Sequence, residues 1–594
     1  MSLKNISLKQ KLRQALEKAA QDYQPLPSFE IERAKIRAHG ELATNLAMIL
    51  ARQQSVGENK KNPQTIAQDI ISKLNDQNLD WMESISVAGG GFLNFVIKPS
   101  AWQEELKTIL ESGEDFGKSD EGQGKSINIE FVSANPTGPI HIGNARGGPL
   151  GDALASLLKT IGYDVTKEYY VNDVGGQIDR LGESILYWID EKDNPEAPGP
   201  AKDSNCYQGE YVKELAQIAL RELGEKISDM VSEVEPSSDP STGSGCPASL
   251  IKVLGKFGIK TLLKQIKDDC DLMGITFDSW VNEKEILGSG KTEAILKALI
   301  EKNVTKKHEG ALWLADASNE LLNDRECVLE KSDGRPTYFA NDIAYHVEKY
   351  KKGYDRLINV WGSNHHGHVP RVKAAVQSLG YDPEKIETVL YQYVRVKRGN
   401  DAVKMSKRGG NFVLAREVLD EVGRDAFRFF LLMRAPESHL DFDLELAKSQ
   451  SQENPVYYVQ YAHARLCSIM KKAAQQFKEQ GIELKDHEIP DLKSLNLPEE
   501  LEMIRVLLEY PEEILRAAKK LEPHRISFYI LEVAKMFQSY YSKAKTDDRY
   551  RVLSGSIDSV KAKLYFCRSI QHTLASGLKL LGITAPTEMH HEES

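Results

Sequence analysis

The stretch Ser126–Leu150, SINIEFVSANPTGPIHIGNARGGPL, decides how this chain is read. It opens with apolar residues at alternate positions, Ile127, Ile129 and Phe131, the pattern of a strand buried on one face. Regular structure stops at Asn135-Pro136-Thr137-Gly138-Pro139, where two prolines and a glycine interrupt it. His141-Ile142-Gly143-Asn144 follows directly, and from about Gly151 to Ile161 the sequence suits a helix. A strand, a tight polar turn and a helix together turn backbone N–H groups and a helix N-terminus toward an anionic ligand. Gly143 removes a side chain where a flat ring or phosphate could approach, and His141 and Asn144 would supply side-chain donors. Taken alone, so short a motif is more often a proline-rich surface turn.

The far end of the chain shifts that balance. Lys404-Met405-Ser406-Lys407-Arg408-Gly409-Gly410 is a basic, glycine-terminated loop after an apolar, aromatic run at Thr388–Val396 that reads as a strand. Two lysines three apart on a mobile loop suit a triphosphate, since ammonium groups can follow negative charge as it moves onto a leaving pyrophosphate. The paired segments, in this order, resemble the two signatures of class I aminoacyl-tRNA synthetases. The flanks narrow the resemblance: SANPTGPIHIGNARGGPLGDAL, YYVNDVGGQ (Tyr169–Gln177), YFANDIAYH (Tyr338–His346), KMSKRGGNFV and NPVYYVQYAHAR (Asn454–Arg465) together look like arginyl-tRNA synthetase. HGELATNLAM near the N-terminus and GLKLLGITAP near the C-terminus extend it over most of the chain. One position departs from the family pattern: Asn144 stands where the second histidine of the first signature is usual, keeping a neutral N–H donor that cannot become cationic.

The resemblance implies an α/β fold: a Rossmann-like class I catalytic domain with a helical insertion, an N-terminal α/β appended domain and a C-terminal all-α anticodon-binding bundle. Residues 1–115 would form the appended domain that contacts the tRNA elbow, 120–385 the catalytic domain with its insertion at about 178–302, 386–450 the lysine loop and connecting region, and 451–594 the bundle. It further implies ligation of L-arginine to tRNA(Arg) through an arginyl-adenylate, with ATP and its accompanying Mg²⁺ as cofactors and bound tRNA needed before arginine is activated. His141, Asn144, Lys404 and Lys407 would stabilise charge, and Pro139, Gly143, His368, Met405 and Ser406 would join them around ATP. Arginine would be held by Tyr338 and Asp342 at the guanidinium, with Glu130, Ser133, Asn135 and His365 completing the pocket. A catalytically silent tRNA- or arginine-binding paralogue, supported only by Asn144, and a different adenylyl transferase on the same fold are the alternatives.

Residue chemistry is consistent with that pocket. A guanidinium is a planar cation with five donors, so a selective site needs carboxylates in its plane. Glu130 lies inside an apolar strand, where an unpaired charge is costly, unless that strand lies at a wet edge. Asp342 follows Tyr338 by one helical turn, so both can face one ligand, although an N-cap is a rival role for it. His365, His366 and His368 lack a cysteine or carboxylate at ligand spacing, so no metal site is expected.

Composition bounds the rest. A chain of 594 residues exceeds one hydrophobic core, so roughly two to four domains are expected. No run of 18 apolar residues occurs, and the N-terminus lacks a secretory leader, so no membrane association is expected. The cysteines (Cys206, Cys246, Cys270, Cys327, Cys467, Cys567) are scattered with no CxxC pair, which fits a reducing cytoplasm. A net charge of −10 does not advertise a nucleic-acid binder, and any RNA contact must rest on local basic strips.

Periodicity predicts N-terminal helices at Leu8–Asp22, Glu41–Gln53 and Pro63–Leu74, a hairpin of Ser84–Ala88 with Phe92–Ile97, and a polar linker at Glu111–Gly124. Val165–Val171 reads as a second parallel strand, followed by a helical, acidic excursion from about Ile178 to Lys302 with loops at Pro195–Pro200 and Glu235–Pro247. The sheet is expected to resume at Ala311–Leu314 and Arg356–Val360. From Leu414 onward the chain reads as helices, with breaks between Leu414–Glu421 and Arg424–Met433. On these, Tyr457, Tyr461, Arg465, Arg525 and Tyr540 are the candidate tRNA contacts, since unpaired bases stack on aromatic rings, with core packing as the competing role for each ring. A monomer without an obligatory protein partner is expected from the family alone.

Overall fold

The strand predicted at Ser126–Phe131 runs through the middle of a five-stranded parallel sheet, so Glu130 is far from any wet edge. The computed structural model describes residues 7–34, 40–53, 61–192, 199–200, 206–232, 248–322, 326–399, 401–402, 413–482 and 489–589. The loops read at 195–200 and 235–247 and the last five residues lie mostly or wholly outside these.

The N-terminal unit comprises α1 (Leu8–Ala19), β1 (Glu32–Arg33), β2 (Leu42–Thr44), α2 (Leu46–Gln53), α3 (Pro63–Asn75), β3 (Met82–Ala88), β4 (Phe92–Ile97) and α4 (Pro99–Ser112). Ser7 caps α1 and Gln10 returns the bond, a reciprocal capping box. The helix expected from Glu41 instead begins at Leu46, because Leu42–Thr44 pairs antiparallel with β4. Ladder pairing outweighs local helix propensity there. The expected linker begins inside α4, whose inner face packs against the C-terminal bundle. The remainder is pinned rather than loose: Gly122 N–H donates to Ile161 O and Phe116 stacks on Tyr510.

The central region contains β5 (Ser126–Phe131), α5 (Ile142–Ala145), α6 (Gly147–Thr160), β6 (Asp164–Val171), α7 (Gly176–Asp190), α8 (Glu210–Ser232), α9 (Ala248–Leu272), β7 (Ser279–Asn282), α10 (Glu283–Gly288), α11 (Lys291–Glu301), β8 (Thr305–His308), β9 (Ala311–Leu314), β10 (Cys327–Glu330), α12 (Tyr338–Lys351), β11 (Arg356–Gly362), α13 (Val369–Ser378) and β12 (Ile386–Tyr391). The main sheet has the order β12-β11-β5-β6-β7. It therefore resumes at β7, inside the stretch read as a helical excursion, whereas β9 belongs to a separate antiparallel sheet with β8 and β10. Four residues, SWVN, carry too little alternation to signal an edge strand. The excursion itself rests on close packing of α7 against α9, where a Cβ on Gly182 would lie 2.0 Å from Ile251 O.

The run predicted as one strand at Thr388–Val396 is two: β12 closes the main sheet, and β13 (Val394–Arg398) pairs with β14 (Asp401–Ala402) and, in parallel, with β15 (Leu440–Asp443). Between them, α14 (Ala415–Leu432) kinks at Gly423, with φ 76° and ψ 162°, where the two predicted helices were to part. After α15 (Leu444–Lys448), the bundle consists of α16 (Pro455–Glu479), α17 (Pro498–Leu508), α18 (Tyr510–Lys519), α19 (His524–Lys543) and α20 (Ile557–Leu580).

Strand register lines up three polar residues across the middle of the main sheet: Asn359 of β11 opposes Glu130 of β5, which opposes Glu168 of β6. All three are buried, and α12 covers them. One turn apart on that helix, Tyr345 donates to Glu168 (2.7 Å) and Lys349 donates to Glu130 (2.9 Å), with Glu168 3.9 Å from the same ammonium. Lys349 is 1% exposed and lies 4.1 Å from the Tyr345 ring centroid. Removing one member of such a cluster leaves buried charge uncompensated. Lys349→Ala should therefore destabilise the central region by about 3–5 kcal/mol, seen as a lower melting temperature; an unchanged melting curve would contradict this role for the ammonium.

Candidate active site

A cleft of about 750 Å³ opens at the carboxyl ends of β5, β6, β11 and β12, where a parallel sheet presents its ligand site. Its floor leaves β5 through Val132 (φ 65°) and Ser133 (φ 39°), two consecutive side-chain-bearing residues in the left-handed region. Such a conformation is strained, at about 1–3 kcal/mol each, and is held in place by β6. Ser133 Oγ accepts from Tyr170 N–H (3.1 Å), and Tyr169 OH donates to Ala134 O (2.8 Å). The bend carries Asn135, exposed at the rim, and the turn to His141.

One wall is the first turns of α12. Thr337 caps the helix, so Asp342 is not its N-cap but an interior residue, 5% exposed. His368 Nε2 lies 2.5 Å from Asp342 Oδ2 and His346 Nδ1 lies 3.2 Å from Oδ1. Burial alone would push this carboxyl up, but the two imidazoles hold it well below the usual carboxylate range. His346 Nδ1 also meets Asp342 O at 2.9 Å while Asn359 Nδ2 donates to its Nε2 (3.0 Å), so the ring carries its proton on Nδ1. Asn359 Oδ1 in turn faces Lys349. A continuous chain of polar contacts thus runs from the Glu130–Lys349 pair to the cleft wall. Glu130 reaches the cleft with one oxygen already committed to Lys349.

Opposite Asp342, Glu283 begins α10 and is 2% exposed. Its Oε1 accepts from Asn341 Nδ2 (2.6 Å), while its Oε2 and the Tyr170 hydroxyl are both buried without a hydrogen bond of normal geometry. Burial pushes the Glu283 carboxyl up to about 7, against the pull of Asn341. His365, also lining the cleft, is held below the ordinary imidazole value by burial and by neighbouring His368. Tyr338, 49% exposed, offers its ring face at the mouth, stacked 6.0 Å from His368.

Of Pro139, His141, Gly143 and Asn144, only Asn144 lines the cleft. His141 Nδ1 accepts from Asn144 N–H (3.3 Å), capping the short α5. Buried Gly143 packs against His141 and Tyr393: a Cβ there would come 3.1 Å from the imidazole. Half-buried Pro139 precedes the motif, and on both sides the chain is bonded to the segment leaving the lysine loop. Ile142 N–H donates to Val413 O (3.0 Å) and Ala415 N–H to Ile140 O (2.8 Å). Lys404, Met405, Ser406 and Lys407 themselves lie outside the described residues.

Arg146, fully buried, fastens this corner. Its guanidinium donates to the carbonyls of Gln392 (2.9 Å), Ser438 (2.8 Å), Arg434 (3.3 Å) and Ala435 (2.9 Å), tying the start of α6 to the β12–β13 turn and to the turn after α14. Burial pulls it down to about 10, which leaves it cationic at neutral pH. Arg428 of α14 answers from the other side, donating to Asp152 of α6 (2.7 Å), Met273 O and Leu581 O.

The structure thus gathers Glu130, Ser133, Asn135, Asn144, Tyr338, Asp342, His365 and His368 around one cleft. Glu283, Asn341, Lys349 and Arg146 are residues that reading the sequence missed; the only trace of Glu283 is a glutamate just after a strand too short to recognise. On the bundle, Tyr461 and Tyr541 flank the Arg465 guanidinium at 4.5 and 4.8 Å, Tyr457 stacks on Tyr461, and Arg525 pairs with Glu522. Tyr457, 7% exposed, must be withdrawn as a surface contact, and so must Tyr540. Tyr540 is fully buried, donates to Glu500 (2.8 Å) and packs edge-on against Tyr550 and Phe566, because its helical position faces the core.

Three family models match the chain: the arginyl tRNA synthetase N terminal domain over residues 7–97, the tRNA synthetases class I (R) catalytic domain over 105–434, and the DALR anticodon binding domain over 459–589. The chain is 40% identical over 590 residues to the arginine–tRNA ligase of Syntrophotalea carbinolica, covering 98% of this chain and 100% of the relative. It is 40% identical over 588 residues to that of Caldanaerobacter subterraneus, covering 99% and 98%. The fold is similar to that of Thermus thermophilus arginyl-tRNA synthetase, with a TM-score of 0.74 at 24% identity over 98% of this chain and 100% of that one.

Because an ammonium cannot span the four carbonyls that Arg146 holds, Arg146→Lys should lower the melting temperature, at about 1–3 kcal/mol for each carbonyl left without a donor. Unchanged melting would mean that these bonds contribute nothing to the corner.

Proposed function

The chain belongs to the arginyl-tRNA synthetases, and from that membership we propose how its residues share the work of joining L-arginine to tRNA. The observation that carries the reading is that Asn144, next to the backbone bridge between Ile140–Ile142 and Val413–Ala415, lines the same cleft as Asp342 and Glu283. That bridge sets the segment that follows the lysine loop beside the His141 motif, and the two acidic groups suit a cationic substrate.

In the first step an oxygen of the arginine carboxylate attacks the α-phosphorus of ATP, the bond to the bridging oxygen breaks, and pyrophosphate leaves. His141 and Asn144 donate to the phosphates, with Pro139 and Gly143 shaping the turn against the nucleotide. Lys404 and Lys407 follow the charge onto the pyrophosphate, helped by Met405 and Ser406 on the same loop. Asn144 does this as a neutral donor, so the lysines carry more of the charge. Mg²⁺ arrives with ATP; among the described residues no three His, Cys, Asp or Glu side chains gather to hold a metal. In the second step the terminal ribose hydroxyl of the tRNA attacks the adenylate carbonyl, and AMP leaves. Positioning and charge stabilisation suffice for both steps.

Asp342, Glu283 and the Tyr338 ring receive the guanidinium. Ser133, Asn135 and His365 border the rest of the amino acid, and Glu130 acts through Lys349 to fix the floor. The bundle reads the anticodon with half-buried Tyr461 and Arg465, joined by Arg525, while the N-terminal unit meets the tRNA elbow. A cytoplasmic monomer fits this division of labour, and no helix among the described residues is long and apolar enough to cross a membrane.

The direct test is arginine-dependent ATP–pyrophosphate exchange with and without tRNA; silence in both, with tRNA binding intact, would favour a non-catalytic role. Lys407→Ala should reduce turnover by about 10²-fold or more with little change in the arginine Michaelis constant, and full turnover would refute the role of the loop. Glu283 adds a pH signature. Held near 7, its carboxyl keeps a proton that an unfolded chain would lose near 4.5. It therefore favours the fold fully below about pH 4.5, and that contribution is lost as pH rises through 7. A bound guanidinium prefers the carboxylate, so arginine affinity should rise from pH 6 to 8 with proton release on binding, and Glu283→Gln should flatten the rise. Calorimetry showing no proton release at pH 6 would contradict the assignment.

A further inference from the structure

His368 occupies the two contacts that a substrate guanidinium needs. Its Nε2 lies 2.5 Å from Asp342 Oδ2, and its ring stacks on Tyr338 with centroids 6.0 Å apart and planes 30° from parallel. Phe339 presents an edge at 5.5 Å and Trp361 lies at 5.7 Å, so the imidazole sits in an aromatic cage closed by a carboxylate. An imidazole and a guanidinium share the chemistry such a cage selects: both are flat, both donate N–H in the plane, and both carry or can carry positive charge. Asp342 Oδ1 is meanwhile taken by His346 Nδ1 at 3.2 Å. A guanidinium cannot lie on that same face of Tyr338 and pair with Asp342 Oδ2 while His368 remains.

We propose that His368 is a displaceable internal occupant of the guanidinium slot, and that arginine binds by exchanging with it. The idea rests on the reading that Asp342 grips the guanidinium. His368 has somewhere to go: it is the residue before α13, preceded by Gly367, around which a Cβ would meet nothing within 4 Å. Expelled, the imidazole becomes available for the ATP contact expected of it, so filling the arginine slot prepares the nucleotide site. Two consequences follow. Arginine alone binds more weakly than the open slot would allow, its dissociation constant raised by the inverse of the fraction with the imidazole unseated. Arginine and ATP strengthen each other's binding, reciprocally, through one side chain.

The test is calorimetric titration of arginine into the full chain, with and without a non-hydrolysable ATP analogue, for the wild type, His368→Ala and Asp342→Asn. With His368→Ala, arginine alone should bind about five- to tenfold tighter and the mutual strengthening with the nucleotide should shrink toward nothing. Weaker arginine binding in His368→Ala would overturn the proposal, since His368 would then merely orient Asp342; unchanged binding and unchanged coupling would overturn it equally. Should Asp342→Asn leave arginine affinity intact, the underlying reading of the pocket fails instead. In the wild-type chain, histidine-labelled NMR gives a second readout independent of any variant. The low-field proton resonance expected for the short His368–Asp342 bond should vanish when arginine is added, and its persistence at saturation would overturn the exchange.

Discussion

A lysine ammonium held out of water beneath a parallel sheet is the constraint on which the site depends. Lys349 cannot be solvated where it lies, so Glu130 and Glu168 must come to it from adjacent strands, and only one register of β5 against β6 and β11 lines those groups up with Asn359. Meeting that demand fixes the rotation and the height of α12 over the sheet. Once the helix is fixed at Lys349, helical spacing carries Tyr345, His346, Asp342 and Tyr338 to set positions, the last two at the cleft. The side chains at the mouth are thereby anchored to charge pairing at the bottom.

A second, independent fastening brings the His141 motif into place. Backbone bonds join Ile140–Ile142 to Val413–Ala415, segments separated by most of the central region, and two buried arginines clamp α6 to α14 from opposite ends. Arg146 gives all four bonds from its two terminal nitrogens to main-chain carbonyls, with Nε buried and unpaired, so it reads the shape of two turns rather than the charge of a partner. Arg428 also touches the end of the bundle through Leu581 O, and Gly582 is required there because a Cβ would meet the guanidinium at 2.2 Å. The bundle, the connecting region and the His141 motif consequently share one rigid corner.

Much of this was legible in the sequence because strong local signals agreed with the global fold. The alternation Ile127-Ile129-Phe131, the turn chemistry at Asn135–Pro139 and the helical spacing of the bundle each specified their element. Legibility failed where tertiary pairing overrode local preference. Leu42–Thr44 became a strand because β4 needed a neighbour, and SWVN became an edge strand with only four residues to announce it. Tyr540 and Tyr461 look alike in sequence, and only the packing of α19 separates a core tyrosine from a half-buried one. Glu130 stood out as a charge inside an apolar strand, but its partner lies 219 positions away on a helix face, beyond any local pattern. Glu283 gave no signal at all, since a buried carboxylate after an unrecognised strand reads as a surface residue.

A crystal structure of the chain with a non-hydrolysable arginyl-adenylate analogue tests directly whether one cleft joins a guanidinium slot to a nucleotide corner. The guanidinium should lie about 3 Å from carboxylate oxygens of Asp342 and Glu283, with His368 moved off Asp342 and the phosphate between the His141 motif and the lysine loop. An analogue bound elsewhere, with Asp342 still paired to His368, would contradict that arrangement.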